Sequence, residues 1–386
     1  MFSMQEILST VSIHSFNCRG LQEKHKRILL FNWLKKYQGI IFLQETHCSR
    51  AHELTWKREW GGDIIFSHGT TNSRGVAVLI PKSLESDIKV KKCHTDTAGR
   101  IILIDCSIKD NSIILINIYA PTKDKPTEQL NFLHILKGLV DKYSDKAIIL
   151  GGDFNTYLDT SIDKLGGKNE LKSPYSENID GLCKEFSLID IWRIRHKNQP
   201  GFTHRQRHKT GYVQSRLDFW LISSHMEYLV RNVKVAPGFR SDHSIIILQL
   251  DLLNTLKRGR GLWKFNKDLL TDLEYVSQIK KLIKNIRETI NWTNKNTLWD
   301  YVKCEIRSKT IIYSSNKAKV QRQYESNLTK KLNSLEQNAS TDSAIYCQYL
   351  EVKQEWENLN SKNCKAFILR SKAKWIEEGE KTPTTF

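Results

Sequence analysis

The chain has 386 residues, a length that suits one large domain followed by an extension. A 39% hydrophobic content supports a substantial core, and a formal charge of +18 points to a polyanionic partner. No apolar run approaches the roughly 18 residues that cross a bilayer, and MFSMQEILST has neither the basic flank nor the apolar stretch of a signal peptide.

Eight scattered cysteines without a C-x-x-C pair form neither a disulfide framework nor a zinc site. The expectation is an intracellular chain with reduced thiols and no membrane partner. In chain order, the predicted strands are Ile40–Leu43, Ile64–Phe66, Val76–Ile80, Ile101–Cys106, Ile113–Tyr119, Ala147–Leu150, Leu188–Ile191, Leu217–Ile222 and Ile245–Leu250. Helical periodicity covers Lys24–Tyr37, with Leu30, Trp33, Leu34 and Tyr37 on one face, and Thr127–Tyr143. Many strands with few helices predict an α/β sandwich of mixed sheets over residues 11–251.

After the basic stretch LKRGRG (256–261), within a predicted linker 252–266, the pattern becomes helical. Proline is absent from 238 to 382, which long helices permit. From residue 251 onward, 25 Lys and Arg face 16 Asp and Glu, so the extension 267–386 is basic. It reads equally as a solvated helical hairpin or as a nucleic-acid surface. A chain ending near residue 251 is expected to fold alone.

Polar residues recur where the apolar runs stop. In AIILGGDFNT, Asp153 and Asn155 would share one side of an extended segment, with Phe154 packed behind. Together they could hold a water and a phosphate oxygen, or simply cap the next element. Asn17 follows SIHSF, Glu45 follows IIFLQ, Tyr119 ends IILINIY, Asp218 lies within SRLDFWLIS, and Asp242-His243 precedes IIILQL. Singly each has a structural explanation as a cap, a solvated strand end or a hydrogen-bonded histidine. Jointly they compose a phosphodiesterase site. Glu45 and Asn17 supply hard oxygen ligands for Mg²⁺. Asp153 can take a proton from the attacking water, and His243, oriented by Asp218, can donate to a phosphoryl oxygen.

NCRGL (17–21), QETH (44–47), NIYAP (117–121), GDFNT (152–156), SRLDFWLIS (215–223) and SDH (241–243), in this order, resemble the exonuclease III-like endonuclease/exonuclease/phosphatase superfamily. Within it the chain is most similar to the endonuclease domain of LINE-type (non-LTR) retrotransposon polyproteins. The resemblance implies a four-layer sandwich of two mixed β-sheets flanked by helices, with the site at the rim between the sheets. A mostly helical C-terminal extension would follow. It implies Mg²⁺-dependent nicking of double-stranded DNA to leave a 3′-hydroxyl, with Mn²⁺ as a substitute ion and element RNA as a second partner. Asn17, Glu45 and Asp242 match metal-site residues. Tyr119 matches a phosphate contact, Asp153 and Asn155 the water-activating pair, and Asp218 and His243 the Asp–His pair. Nuclear action follows from such a role.

The basic loop WRIRHKNQPGFTHRQRHK (192–209) offers Arg193, Arg195, Lys197, Arg205, Arg207 and Lys209 as DNA contacts, against a solvated loop as the alternative. Thr203-His204 stands where related sequences often carry Thr-Trp. KWIEEGEKTPTTF (374–386) resembles the segment upstream of a reverse transcriptase, although TPTTF departs from the usual ending. The expectation is a truncated element without polymerase activity. The competing readings are an abasic-site repair endonuclease and a catalytically inactive nucleic-acid-binding protein. Intact Glu45, Asp153, Asp218 and His243 weigh against the last.

Overall fold

A computed structural model describes residues 7–70, 72–167, 171–208, 211–254, 265–289, 295–338 and 343–378. The chain opens with β1 (Ile7–Asn17), α1 (Lys24–Leu34), β2 (Ile40–Gln44), α2 (Glu53–Trp60), β3 (Asp63–Ser67) and β4 (Val76–Ile80). There follow β5 (Ile88–Thr95), β6 (Ile101–Ile108), β7 (Asn111–Tyr119), α3 (Pro126–Asp141), β8 (Ala147–Asp153), β9 (Lys164–Leu165) and α4 (Pro174–Glu185). Then come β10 (Leu188–Asp190), α5 (Ile191–Arg195), β11 (His204–His208), β12 (Gly211–Ser215), β13 (Asp218–Ser223), β14 (Val230–Ala236) and β15 (Ile245–Asn254). The chain continues in α6 (Leu273–Thr289), α7 (Lys295–Asn338) and α8 (Ser343–Glu378).

Two six-stranded sheets carry the fold, ordered β14-β15-β1-β2-β4-β3 and β10-β13-β8-β7-β6-β5. Each is mixed: β1 and β2 are parallel, as are β7 and β8, and the remaining pairs are antiparallel. The strands β2, β4, β6 and β13 are buried on both faces, which is why the sequence shows continuous apolar runs there rather than alternation. Ile13, Phe42, Val78 and Leu248 of one sheet pack with Ile104, Leu115, Ile149 and Trp220 of the other. The second sheet's far face packs Leu103, Ile116, Leu150 and Phe219 against Phe132 and Leu136 of α3 and Ile179 and Leu182 of α4. On the first sheet's far face, Trp33 of α1 meets Phe16, and Trp56 of α2 meets Phe66. The result is four layers, as expected.

By its contacts the chain divides into two units, Met1–Thr255 with Lys331–Phe386, and Leu256–Lys330. The expected single extension is therefore split. The end of α7 and α8 group with the sheets, where Trp356 of α8 meets Trp33 and Lys36 donates to Asn360 Oδ1 at 2.7 Å. In the second unit, α6 packs on the first part of α7 through a 2.6 Å hydrogen bond between Tyr275 and Thr310. β15 runs to Asn254, pairing with Ile7, so the first part of the expected linker is strand. LKRGRG lies outside the described residues, as does the TPTTF ending. Among the described residues no helix is long and apolar enough to cross a membrane.

Candidate active site

Three neighbouring strands of the second sheet end on one row. Tyr119 of β7 pairs with Asp153 of β8, which pairs with Asp218 of β13. The two glycines before Asp153 make this row possible. A Cβ on Gly151 would lie 2.1 Å from the Trp220 ring, and one on Gly152, at φ +144°, 2.0 Å from Ile118 O. Phe154 turns inward and stacks on Phe219 at 3.8 Å, as the alternation predicts. Asn155 then takes φ +49°. Its backbone N–H donates to Asp153 Oδ1 at 2.9 Å and its Nδ2 to Ala120 O at 2.8 Å.

The first sheet supplies the facing groups. Asn17 ends β1, and Glu45 follows β2 with φ +51°. The Asn17 amide bridges two carboxylates, donating to Glu45 Oε1 at 2.8 Å and Asp153 Oδ2 at 2.9 Å. Its Oδ1 accepts the Arg19 N–H at 3.0 Å, which fixes the amide's orientation. With its NH₂ toward the carboxylates, Asn17 is a donor that spaces Glu45 from Asp153.

His243 sits in the turn before β15. Its Nδ1 donates to Asp218 Oδ2 at 2.8 Å, and its Nε2 lies 3.9 Å from Asp153 Oδ2. Burial opposes a charge on the imidazole, but Asp218, then Asp153 and Asp242, outweigh it and raise the His243 pKa. Burial raises the pKa of Asp153, as does the Asp218 charge, while His243 and the Asn17 hydrogen bond oppose the shift. Burial likewise pushes the Tyr119 hydroxyl up, reinforced by Glu45, to which that hydroxyl is hydrogen-bonded. Asp242 pairs with Arg19 at 2.9 Å.

These groups line one cleft of about 520 Å³: Glu45, Tyr119, Asp153, Asn155, Asp242 and His243, with Lys123, Lys164 and Arg19 supplying positive charge. Asp153, Asp218 and His243 place ligand atoms within 4.8 Å of one another, a set able to hold a metal ion. The donor chemistry favours a hard cation on the carboxylates of Glu45 and Asp242, because the imidazole Nδ1 is already engaged by Asp218. The cleft fits such an ion.

Residues 14–243 match the Endonuclease/Exonuclease/phosphatase family. The chain belongs to that family. The family assignment and the site's composition make it a phosphodiesterase-type hydrolase. A Xenopus laevis protein named "Transposon TX1 uncharacterized 149 kDa protein" is 28% identical over 369 residues, covering 94% of this chain. The alignment takes in 27% of that relative, so this chain spans about a quarter of its length. In fold, this Endonuclease/Exonuclease/phosphatase chain is similar to the AP endonuclease LMAP from Leishmania major, with TM-score 0.54 and 14% identity over 63% of this chain and 88% of that one. An AP endonuclease from Archaeoglobus fulgidus gives TM-score 0.50 and 20% identity, over 63% of this chain and all of that one.

The basic loop is more structural than expected. Arg193 pairs with Asp163 and donates to the carbonyls of His196, Lys197 and Gln199. Arg205 is buried against Glu336, Ser244 Oγ and Phe202 O. Arg205 is held inside the protein, and Arg193 is committed to internal partners while staying partly exposed. Arg195 donates to Glu227 O and Val230 O from an exposed position, and Lys197 is exposed. Arg207 belongs to β11, its side chain is not described, and Lys209 lies outside the described residues. The Thr203-His204 pair, noted in the sequence without a site role, also belongs here: the His204 ring is 4.7 Å from that of His243, and Thr203 Oγ1 accepts from Asp218 N at 3.0 Å.

Proposed function

We propose that the chain is a Mg²⁺-dependent endonuclease that nicks double-stranded DNA and leaves a 3′-hydroxyl, as the nuclease part of a retrotransposon of LINE type. The observation that carries this reading is the buried Asp218–His243–Asp153 row beside Glu45 in a cleft whose outer residues include Arg19, Lys123 and Lys164. Similarity to a transposon protein over 94% of the chain favours the mobile-element role over repair. Such a role places the protein in the nucleus, with element RNA as a second partner for the basic helices.

The chain's own groups divide the work. Asp153, hydrogen-bonded by Asn17 and Asn155, accepts the proton of the attacking water. Protonated His243, fixed by Asp218, donates from Nε2 to the phosphoryl oxygen on which charge develops. Tyr119 offers a neutral hydroxyl at the same rim, its ionisation suppressed by burial. Bound Mg²⁺ or Mn²⁺, held by Glu45 and Asp242, would neutralise charge at the phosphate and leaving oxygen.

The test is nicking of supercoiled plasmid with Mg²⁺, with and without abasic sites, comparing wild type with Asp153→Ala. Wild type should nick intact plasmid, and Asp153→Ala should be slower by about 10²-fold or more while remaining folded. Cleavage confined to abasic plasmid would transfer the chain to repair. Salt-sensitive binding without nicking would make it a binding protein.

A further inference from the structure

The turn Ser241–Ser244 carries Asp242 and His243, and the C-terminal helical segment reaches both ends of it. At the first end, Lys353 of α8 donates from Nζ to Ser241 O at 3.3 Å. On the same residue, Ser241 Oγ donates to Asn17 O at 2.8 Å. At the other end, Arg205 of β11 donates from Nη1 to Ser244 Oγ at 2.9 Å, and Ser244 N donates to Thr203 O at 2.6 Å. Arg205 is in turn paired with Glu336, near the end of α7. The same helix end is tied to β12, where Gln214 Nε2 donates to Glu336 O at 2.9 Å. Tyr346 of α8 packs on Tyr212 of β12 with ring centroids 4.1 Å apart. The segment itself is anchored through Trp356, Asn360 and α1.

We infer that Glu336, Arg205 and Lys353 form a clamp through which residues 331–364 position the Ser241–Ser244 turn, making this segment a working part of the nuclease. The inference deepens the nuclease reading and rests on it for its kinetic consequences. The three residues are positioning residues, since none of them lines the cleft. Arg205 has three acceptors and a side chain only 8% exposed, so its charge serves the turn. Removing Glu336 leaves that guanidinium buried without its counter-charge, and it can regain solvation only by moving away from Ser244. Removing the Lys353 ammonium frees Ser241 O at the other end. Either change lets the imidazole drift from Asp153, and a displacement near 1 Å can cost about 100-fold in rate.

The experiment uses the full chain and the variants Glu336→Gln, Lys353→Met and Lys353→Arg, with Lys137→Ala at an exposed ion pair as control. Plasmid nicking gives kcat and KM, and hydrogen exchange gives the protection of the amides at 241–244. Glu336→Gln and Lys353→Met should lower kcat about tenfold or more with KM changed less than about threefold. They should also lose protection at 243 and 244, and Lys353→Arg should restore most of both. Unchanged kcat and protection would overturn the clamp. A raised KM with a shallower salt dependence and unchanged kcat would also overturn it, placing these groups on the DNA instead. Should wild type fail to nick, the nuclease reading falls, and exchange alone decides the clamp: protection lost in Glu336→Gln sustains it, and protection kept removes it.

Discussion

His243 lies between two carboxylates that do different things to it. Asp218 holds Nδ1 at 2.8 Å, and Asp153 lies 3.9 Å from Nε2. Both favour the imidazolium, while burial raises the pKa of Asp153 against ionisation. Activity should therefore fall on the acid side as Asp153 takes up its proton, and on the alkaline side as His243 loses its own. Because these groups interact, the two limbs belong to the cluster as a whole. Asp218→Asn removes the charge that does most to raise the His243 pKa, so its alkaline limb should move to lower pH by about one unit or more. Turnover should drop as well. A pH–rate profile checks both, and an unmoved alkaline limb would sever Asp218 from the imidazole's titration. The sign for stability is consistent. The stabilisation from a raised histidine pKa is complete below about 6.5 and disappears as pH rises through the folded value.

At the scale of elements, the catalytic row depends on three strand ends kept in register, and Gly152 is where that register is most exposed to change. A methyl at this position would meet Ile118 O at 2.0 Å with φ at +144°, a backbone conformation that side chains oppose. Gly152→Ala should destabilise by about 2–4 kcal/mol and shift Asp153 away from Tyr119 and Asp218. Thermal unfolding together with nicking would show both losses, and a variant of wild-type stability would refute the steric account. These strands were legible in the sequence because each is an apolar run closed by a polar residue. The β11–β12 hairpin was not legible, since His204–His208 is a polar, basic stretch whose pairing with Gly211–Ser215 leaves no apolar signature. Nor could spacing show which atom of Asn17 faces Glu45, because that depends on the Arg19 N–H, which donates to Asn17 Oδ1. The internal partners of Arg193 and Arg205 were illegible for a related reason. Their acceptors, Asp163 and Glu336, are 30 and 131 residues away in sequence.

For the molecule as a whole, composition change marks a domain boundary poorly when a later helix returns to the first fold. The sequence suggests that residues up to 251 stand alone, yet α8 covers Trp33, which is 1% exposed and stacks on Phe239 at 5.7 Å. A chain ending at Asn254 would keep β15 complete. It would also uncover that aromatic face and leave Arg205 without Glu336. Each large apolar side chain returned to water costs about 1.5–3 kcal/mol, and breaking a buried ion pair by removing one partner costs about 3–5 kcal/mol. Together these are comparable to a whole domain's stability of about 5–15 kcal/mol. The shortened chain should therefore melt well below the full chain or collect as aggregate, even though every residue of the catalytic row is present. Restoring residues 331–364 through a flexible linker in place of 255–330 should recover both the melting temperature and the nicking rate. Equal thermal midpoints for the shortened and full chains would show that the first 254 residues are self-sufficient after all, and that the helices rest on the sheets without supporting them.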